Sequence, residues 1–270
     1  MTTRAVVLAR GLGRRLREAD DEAVLDRDQQ RAADAGDKPF MPVAGRPFLD
    51  FLLSGLGDAG LTRVGVVVAP AHQGFRRYYR ETNAPRRVTV DFVVQEEARG
   101  TADAVRAAEA WAAEEPFLAL NADNLYPAAA LRRLAALDSP GLAVFAPDDL
   151  VRTGNIPPER VRAFALARVD PDGWLAGLIE KPSADQVAAA VAPSGISMNC
   201  WRFDARIFRF CREVPESPRG ELELTGAVAL AMRHGLRFKA LRAEGPVLDL
   251  SRRADAPELS RRLAAVPVRP

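Results

Sequence analysis

Short apolar runs alternate with helically spaced segments over the first half of this 270-residue chain. Ala5-Val6-Val7-Leu8-Ala9 opens the pattern and is followed at once by glycines. Residues 64–68 and 88–94 form two more such runs, and residues 117–120 form a fourth that ends in Asn121-Ala122-Asp123-Asn124. Residues 47–58, 72–80 and 101–113 carry helical spacing between them. A strand that is apolar throughout, rather than at every second position, is buried on both faces. Strands of this kind separated by helices predict a mixed, mostly parallel sheet covered on both faces, a three-layer α/β/α arrangement.

The second half reads differently. Residues 161–169, 175–179, 196–203 and 236–241 have strand character and are joined by turns and short helices. Asp170-Pro171-Asp172-Gly173 is well suited to a tight reversal. No Ser/Gly linker divides the chain, which predicts one domain over 1–270 with two lobes, roughly 1–125 and 126–270. Residues 18–37 are charged and read as an exposed insertion, helical in part.

Composition narrows the class. Apolar residues make up 48% but aromatics only 7%, so the core must be mainly aliphatic. A net charge of +2 with no basic stripe argues against a nucleic-acid partner. Cys200 and Cys211 have neither metal-ligand spacing nor a neighbouring histidine, and read as buried thiols of a reducing compartment. No segment approaches the roughly 18 apolar residues of a membrane span, and the first residues lack a signal-peptide layout, so the expected location is cytoplasmic.

The candidate chemistry starts at Arg10-Gly11-Leu12-Gly13-Arg14-Arg15. Glycines at the carboxyl end of a strand let backbone N–H groups approach a phosphate, although a plain tight turn would use them equally. Leu16 stands where a dinucleotide-binding loop needs its third glycine, and no Gly-Lys-Ser/Thr follows to make a P-loop. Lys38-Pro39-Phe40-Met41-Pro42-Val43-Ala44-Gly45-Arg46-Pro47 adds a cation ahead of a rigid segment. Together the two stretches resemble the signature of the sugar-1-phosphate nucleotidyltransferases, the family of glucose-1-phosphate thymidylyltransferase.

The resemblance continues in order along the chain. Gln95 and the Gly100-Thr101-Ala102 segment resemble the family's base-binding stretch, and Asn121-Ala122-Asp123-Asn124 its Gly-Asp-Asn strand end. Glu180-Lys181-Pro182, Arg219-Gly220-Glu221-Leu222-Glu223-Leu224-Thr225 and Val247-Leu248-Asp249-Leu250 resemble three later motifs. The resemblance implies the Rossmann-like nucleotide-diphospho-sugar transferase fold and a site-by-site assignment. Arg15, Lys38 and Lys181 are the expected catalytic cations; Gly11, Gly13, Gln95, Gly100 and Thr101 would bind the nucleotide. Glu180, Lys181, Asn199 and Arg219 would bind the sugar phosphate, and Asp123 and Asp249 would hold Mg²⁺.

Each residue also has a plainer reading. Asp123 could cap a helix starting near Pro127, Lys181 could be solvated, and Asp249 could sit in a turn. Asn199 could be a buried amide satisfied by backbone, and His72 and His234 read as structural. The chemistry implied is attack of a sugar 1-phosphate on the α-phosphorus of a nucleoside triphosphate, dTTP or UTP by resemblance. The nucleophile is already anionic, so positioning and charge stabilisation dominate, and the four cations Arg15, Lys38, Lys181 and Arg219 suit it.

The chain also departs from the family pattern. Arg10 and Arg14 replace smaller residues, the stretch from Arg15 to Lys38 is long, and Phe164-Ala165 stands where Tyr-Gly is common. These departures keep an alternative open, a catalytically weak nucleotide- or sugar-phosphate-binding regulatory homologue. Other transferases of the same fold, a molybdopterin guanylyltransferase or a retaining glycosyltransferase, fit the later motifs less well. Oligomeric state stays open, a homo-oligomer included.

Overall fold

The computed structural model describes residues 1–270 except Leu12, Ala19, Asp21 and Glu22. In chain order the strands are β1 (Arg4–Leu8), the short β2 (Pro42–Val43) and β3 (Arg46–Pro47), β4 (Arg63–Val68), β5 (Thr89–Val94), β6 (Phe117–Asn121), the short β7 (Asn124–Leu125), β8 (Gly141–Phe145), β9 (Ala165–Val169), β10 (Leu175–Ile179), β11 (Gly195–Phe203), β12 (Lys239–Ala243) and the short β13 (Leu248–Asp249).

Nine of them form one sheet with the path β10-β9-β11-β6-β1-β4-β5, to which β8 joins at β11 and β12 at β8. β1 pairs in parallel with β4 and β6, β4 with β5, and β12 with β8. β11 runs antiparallel to β6, β8 and β9, and β10 antiparallel to β9. Only β10 and β11 therefore oppose the common direction. The mostly parallel α/β sheet expected from the apolar runs is the sheet observed.

Successive side chains of a strand point to opposite faces, and the core divides accordingly. Ala5 and Val7 pack in one apolar cluster with Leu49, Leu52, Leu131 and Leu134, from the helices Phe48–Asp58 and Ala128–Ala135. Val6 packs in the other with Val105, Phe208 and Val228, from the helices Thr101–Ala107, Arg206–Glu213 and Leu224–Arg233. Three layers result. Cys200 and Cys211 are free and buried in these clusters. No helix among the described residues is long and apolar enough to cross a membrane.

The structure corrects several boundaries. Strand β8 was not legible, because Gly-Leu-Ala-Val-Phe is too short to show a period. Residues 72–80 are not one helix but the helix Gln73–Arg77 followed by a π turn over Tyr78–Thr82. Residues 101–113 break at Ala108 into Thr101–Ala107 and Glu109–Ala112. The strands expected from 161 and 236 begin only at Ala165 and Lys239, the former because Pro158–Val161 makes a helical turn.

The insertion at 18–37 needs the largest correction within its described part; Ala19, Asp21 and Glu22 lie outside the described residues. Asp26 and Gln29 form a reciprocal capping box that starts the helix Arg27–Ala35. Gln29 and Ala33 are buried, and Ala33 packs with Leu16, Met41, Val43, Leu259 and Leu263 in a third apolar cluster. The segment is a brace behind the glycine loop rather than an exposed excursion.

Candidate active site

The chain runs from β1 outward to β4 and β5, then returns to β6 on the other side of β1. Loops at the carboxyl ends of β1 and β6 must diverge at this switch point, and the gap between them is where open α/β sheets bind ligands. A cleft of about 340 Å³ lies there, reached by Arg10, Gly11, Gly13, Arg14 and Arg15 from the loop after β1. Asn121 and Asp123 line it from the end of β6, Gln95, Gly100 and Thr101 from the segment after β5, Lys38 from the turn Lys38–Phe40, and Asn199 from β11.

The loop is held from behind. Gly13 has φ +59°, and a Cβ there would fall 2.2 Å from the Gly36 carbonyl oxygen, so the residue after the inserted helix presses directly on the glycine loop. Arg17 Nη2 donates to the Ala35 carbonyl at 2.7 Å. Arg253, from the C-terminal region, donates through Nε to the Leu16 carbonyl at 2.8 Å and through Nη2 to Asp34 at 2.8 Å.

Lys38 Nζ donates to Asp123 Oδ2 at 2.8 Å. Burial alone would lower the Lys38 pKa, but Asp123, with Asp249 behind it, outweighs that and holds it above the ordinary lysine value. Lys38 is thus a fixed cation at the mouth of β6. Asp123 does not cap the following helix, whose N-cap is Pro127.

Asp249 is no turn residue. It lies in β13, paired antiparallel with β7 opposite Asn124, and is 1% exposed. Asn124 Nδ2 donates to its Oδ1 at 2.8 Å. Asn155 clamps its backbone twice, donating to the Asp249 carbonyl at 2.8 Å and accepting from its N–H at 2.7 Å. Arg160 lies 3.1 Å from Asp249 Oδ2 while donating to both oxygens of Asp255 at 2.8 and 3.1 Å. The Arg160 contact is an ion pair off the line of a good hydrogen bond, so Oδ2 keeps an unused acceptor direction. Burial, then the charge of Asp123, pushes the Asp249 carboxyl up to about 6, against the pull of Arg160.

Asn199 has φ +53°, at the register shift between Ser197 and Trp201 in β11. A non-glycine residue in the left-handed region costs on the order of 1–3 kcal/mol and persists where the surroundings dictate it. Here the irregularity turns the half-buried amide toward the cleft, not into the core. Lys181 shares this conformation, with φ +45°.

Glu180, Lys181 and Arg219 do not line the cleft and are exposed. They gather beside it: Arg219 donates to Glu223 Oε1 at 2.8 and 3.1 Å, Glu180 acts electrostatically on Arg219, and Lys181 acts on Glu223. Glu221, from the same segment, reaches the cleft wall. The structure thus joins the expected nucleotide residues in one cleft and sets the expected sugar-phosphate charges in a second cluster next to it.

Sequence reasoning missed Asn124, Asn155, Arg160 and Asp255, the frame around Asp249. Only the fold brings residues 94 positions apart, such as Asn155 and Asp249, into contact. Arg10 stood out in the sequence only as a departure, whereas its guanidinium binds the Gln95 carbonyl at 3.2 Å and the Glu96 carbonyl at 3.4 Å. His72 stacks on Phe75 and faces Asp37 at 3.8 Å, away from the cleft lining.

The sheet is doubly wound, with a glycine–arginine loop at its switch point and a paired lysine and aspartate opposite. The chain belongs to the nucleotidyl transferase family, which matches it over residues 33–246. It is 27% identical over 269 residues to a glucose-1-phosphate thymidylyltransferase of Streptomyces antibioticus, covering 96% of this chain and 65% of that protein. It is 27% identical to the UTP–glucose-1-phosphate uridylyltransferase AglF of Haloferax volcanii, covering 96% of both. A UDP-glucose pyrophosphorylase solved with UDP-glucose superposes with a TM-score of 0.74 at 18% identity, over 97% of this chain and 98% of that one. A UTP-bound enzyme from Acinetobacter baumannii superposes with a TM-score of 0.73 at 20% identity, over 99% and 96%. The chain spans under two thirds of some curated relatives, 60% of the nucleotidyltransferase Agl11 of Haloferax volcanii for example.

Proposed function

We propose that the chain is a sugar-1-phosphate nucleotidyltransferase that couples a nucleoside triphosphate, dTTP or UTP, to a sugar 1-phosphate and releases pyrophosphate. The carrying observation is the convergence of the Gly11–Gly13 loop, Arg15 and the Lys38–Asp123 pair on one cleft at the switch point. The relatives named for thymidylyl and uridylyl transfer to glucose 1-phosphate support the reaction class. In this reading residues up to about 125 hold the nucleotide, and the remainder holds the sugar phosphate.

Two carboxylates, Asp123 and Asp249, fit a divalent cation. Both offer hard oxygen donors, Asp249 Oδ2 is buried with an unused acceptor direction, and burial, then the neighbouring Asp123 charge, raises its pKa against the pull of Arg160. No group of three or more His, Cys, Asp and Glu side chains gathers at a metal-holding geometry among the described residues. A pair of carboxylates completed by water and phosphate oxygens is the usual arrangement for Mg²⁺. Bound there, Mg²⁺ would supply charge neutralisation for the triphosphate.

The protein's own part is positioning and charge. The glycine loop and Arg15, both on the cleft wall, would meet the triphosphate, whose leaving pyrophosphate gathers negative charge. Lys38, kept protonated, serves the same end from the opposite wall. Lys181 and Arg219 would seat the anionic sugar phosphate, whose oxygen attacks the α-phosphorus without needing a general base. Two free buried thiols accord with a reducing, cytoplasmic setting.

Pyrophosphate release over a matrix of nucleoside triphosphates and sugar 1-phosphates, with and without Mg²⁺, tests the proposal. Mg²⁺-dependent release with a pyrimidine triphosphate and one sugar phosphate is the expected outcome. Silence across the matrix with nucleotide binding retained would instead favour a regulatory binding protein.

A further inference from the structure

Gln95 on the cleft wall and Asp103 behind it, both buried and polar, meet in an arrangement that leaves Gln95 a single orientation. Gln95 is 3% exposed and Asp103 4%. Gln95 Nε2 donates to Asp103 Oδ2 at 2.8 Å and to the Gly100 carbonyl at 3.1 Å. Asp103 Oδ1 is taken by Arg106, through Nη2 at 2.6 Å and Nε at 3.1 Å. A carboxylate engaged with an arginine has only acceptors to offer, and so has a carbonyl. Both hydrogens of the Gln95 amide are therefore spent. Turning the amide over would set its oxygen against two acceptor oxygens and strand buried groups without partners, a penalised state.

The second acceptor is as immobile as the first. Gly100 has φ +116°, and a Cβ there would fall 2.5 Å from the Leu222 carbonyl oxygen. Leu222 in turn accepts from the Ala102 N–H at 2.8 Å and donates to the Arg99 carbonyl at 2.7 Å. The remaining atom, Gln95 Oε1, accepts nothing from the described residues. The Gly100 N–H, on the same cleft wall, donates to none of them either. The wall thus carries one fixed acceptor and one free donor.

We infer that Asp103 is a positioning residue that locks Gln95 as a hydrogen-bond acceptor, so that the cleft admits a pyrimidine carrying a ring N–H and rejects one carrying a lone pair there. This rests on the nucleotide reading of the cleft. Uracil and thymine present N3–H flanked by carbonyl oxygens, which complements the pair. Cytosine presents an N3 lone pair against Gln95 Oε1. Without the Asp103 carboxylate, the Gln95 amide can reverse and the discrimination fades.

The test measures dissociation constants of the whole chain for UTP, CTP and 3-methyl-UTP, whose N3 carries no hydrogen. The wild type should bind UTP about 10- to 100-fold more tightly than either of the others, the range expected when one buried partner is lost. Asp103→Asn, whose amide can present nitrogen or oxygen to Gln95, should lower the UTP:CTP ratio about tenfold with its melting temperature retained. A purely packing role for Asp103 would weaken both nucleotides alike and leave the ratio untouched. An unchanged ratio in the folded variant, or wild type that binds 3-methyl-UTP as tightly as UTP, overturns the lock. Where Asp103→Asn fails to fold, equal binding of 3-methyl-UTP and UTP by the wild type still overturns the lock. Failure of the wild type to bind any triphosphate is a different result, and overturns the nucleotide reading together with the lock.

Discussion

At the scale of single residues, the site is built from charges whose partners are fixed by burial. Lys38 is held as a cation by Asp123, and its loss should leave the pyrophosphate charge uncompensated. Lys38→Ala should lower kcat/KM about 100- to 1000-fold, as removal of a charge-stabilising donor does elsewhere, with the urea midpoint nearly unchanged. Steady-state pyrophosphate release checks the first part and equilibrium unfolding the second. Arg160 behaves in the opposite sense, because it is 8% exposed between Asp249 and Asp255. Arg160→Met should cost about 3–5 kcal/mol of stability, since it strands two buried carboxylates. A loss under about 1 kcal/mol in urea denaturation would contradict that account. The thiols offer a third check: burial pushes Cys211 up to about 12 and Cys200 higher still. Neither should react with an aromatic disulfide reagent at pH 8 until the chain is unfolded, when both should.

At the scale of elements, the helix Arg27–Ala35 and the glycine loop work as one unit. Gly13 and Gly11 separate two explanations of the loop. A Cβ on Gly11 meets nothing within 4 Å, whereas at Gly13 it strikes the Gly36 backbone in a left-handed conformation. Gly13→Ala should therefore displace the loop and weaken triphosphate binding at least about tenfold, while Gly11→Ala should be several-fold milder. Calorimetric titration of both variants distinguishes a braced phosphate loop from an ordinary turn, which would tolerate the two changes alike. The cation brace from Arg253 explains why this unit reaches across to the C-terminal region: it satisfies the Leu16 carbonyl and Asp34 together.

For the whole molecule, the pH response of stability should carry the mark of His72. Burial, with Arg10 and Arg76 nearby, lowers its pKa below the ordinary 6.5, against the pull of Asp37. Between the folded and unfolded values the unfolded chain binds the proton and the folded chain does not. Stability contributed by neutral His72 is therefore complete above about pH 6.5 and is lost as pH falls through the folded value. The unfolding midpoint of the wild type should drop more between pH 7.5 and pH 5.5 than that of His72→Gln, and equal drops would remove His72 from the account.

The sequence by itself determined the parallel half of the sheet, because strands buried on both faces must be apolar throughout, as in Val64-Gly65-Val66-Val67-Val68. It also determined the order of the family motifs, since loop glycines and single charged residues are local features. Helix breaks at Ala108 and Tyr78 were not legible, for the same residues suit a continuous helix until packing interrupts it. Only tertiary structure decided that the charged insertion is a brace, because burial of Ala33 depends on Leu259 and Leu263 far along the chain. It alone set Asn124, Asn155 and Arg160 around Asp249, and Asp103 against Gln95. The frame of a buried polar group is assembled from whatever the fold brings near it, and no period or spacing along the chain records that choice.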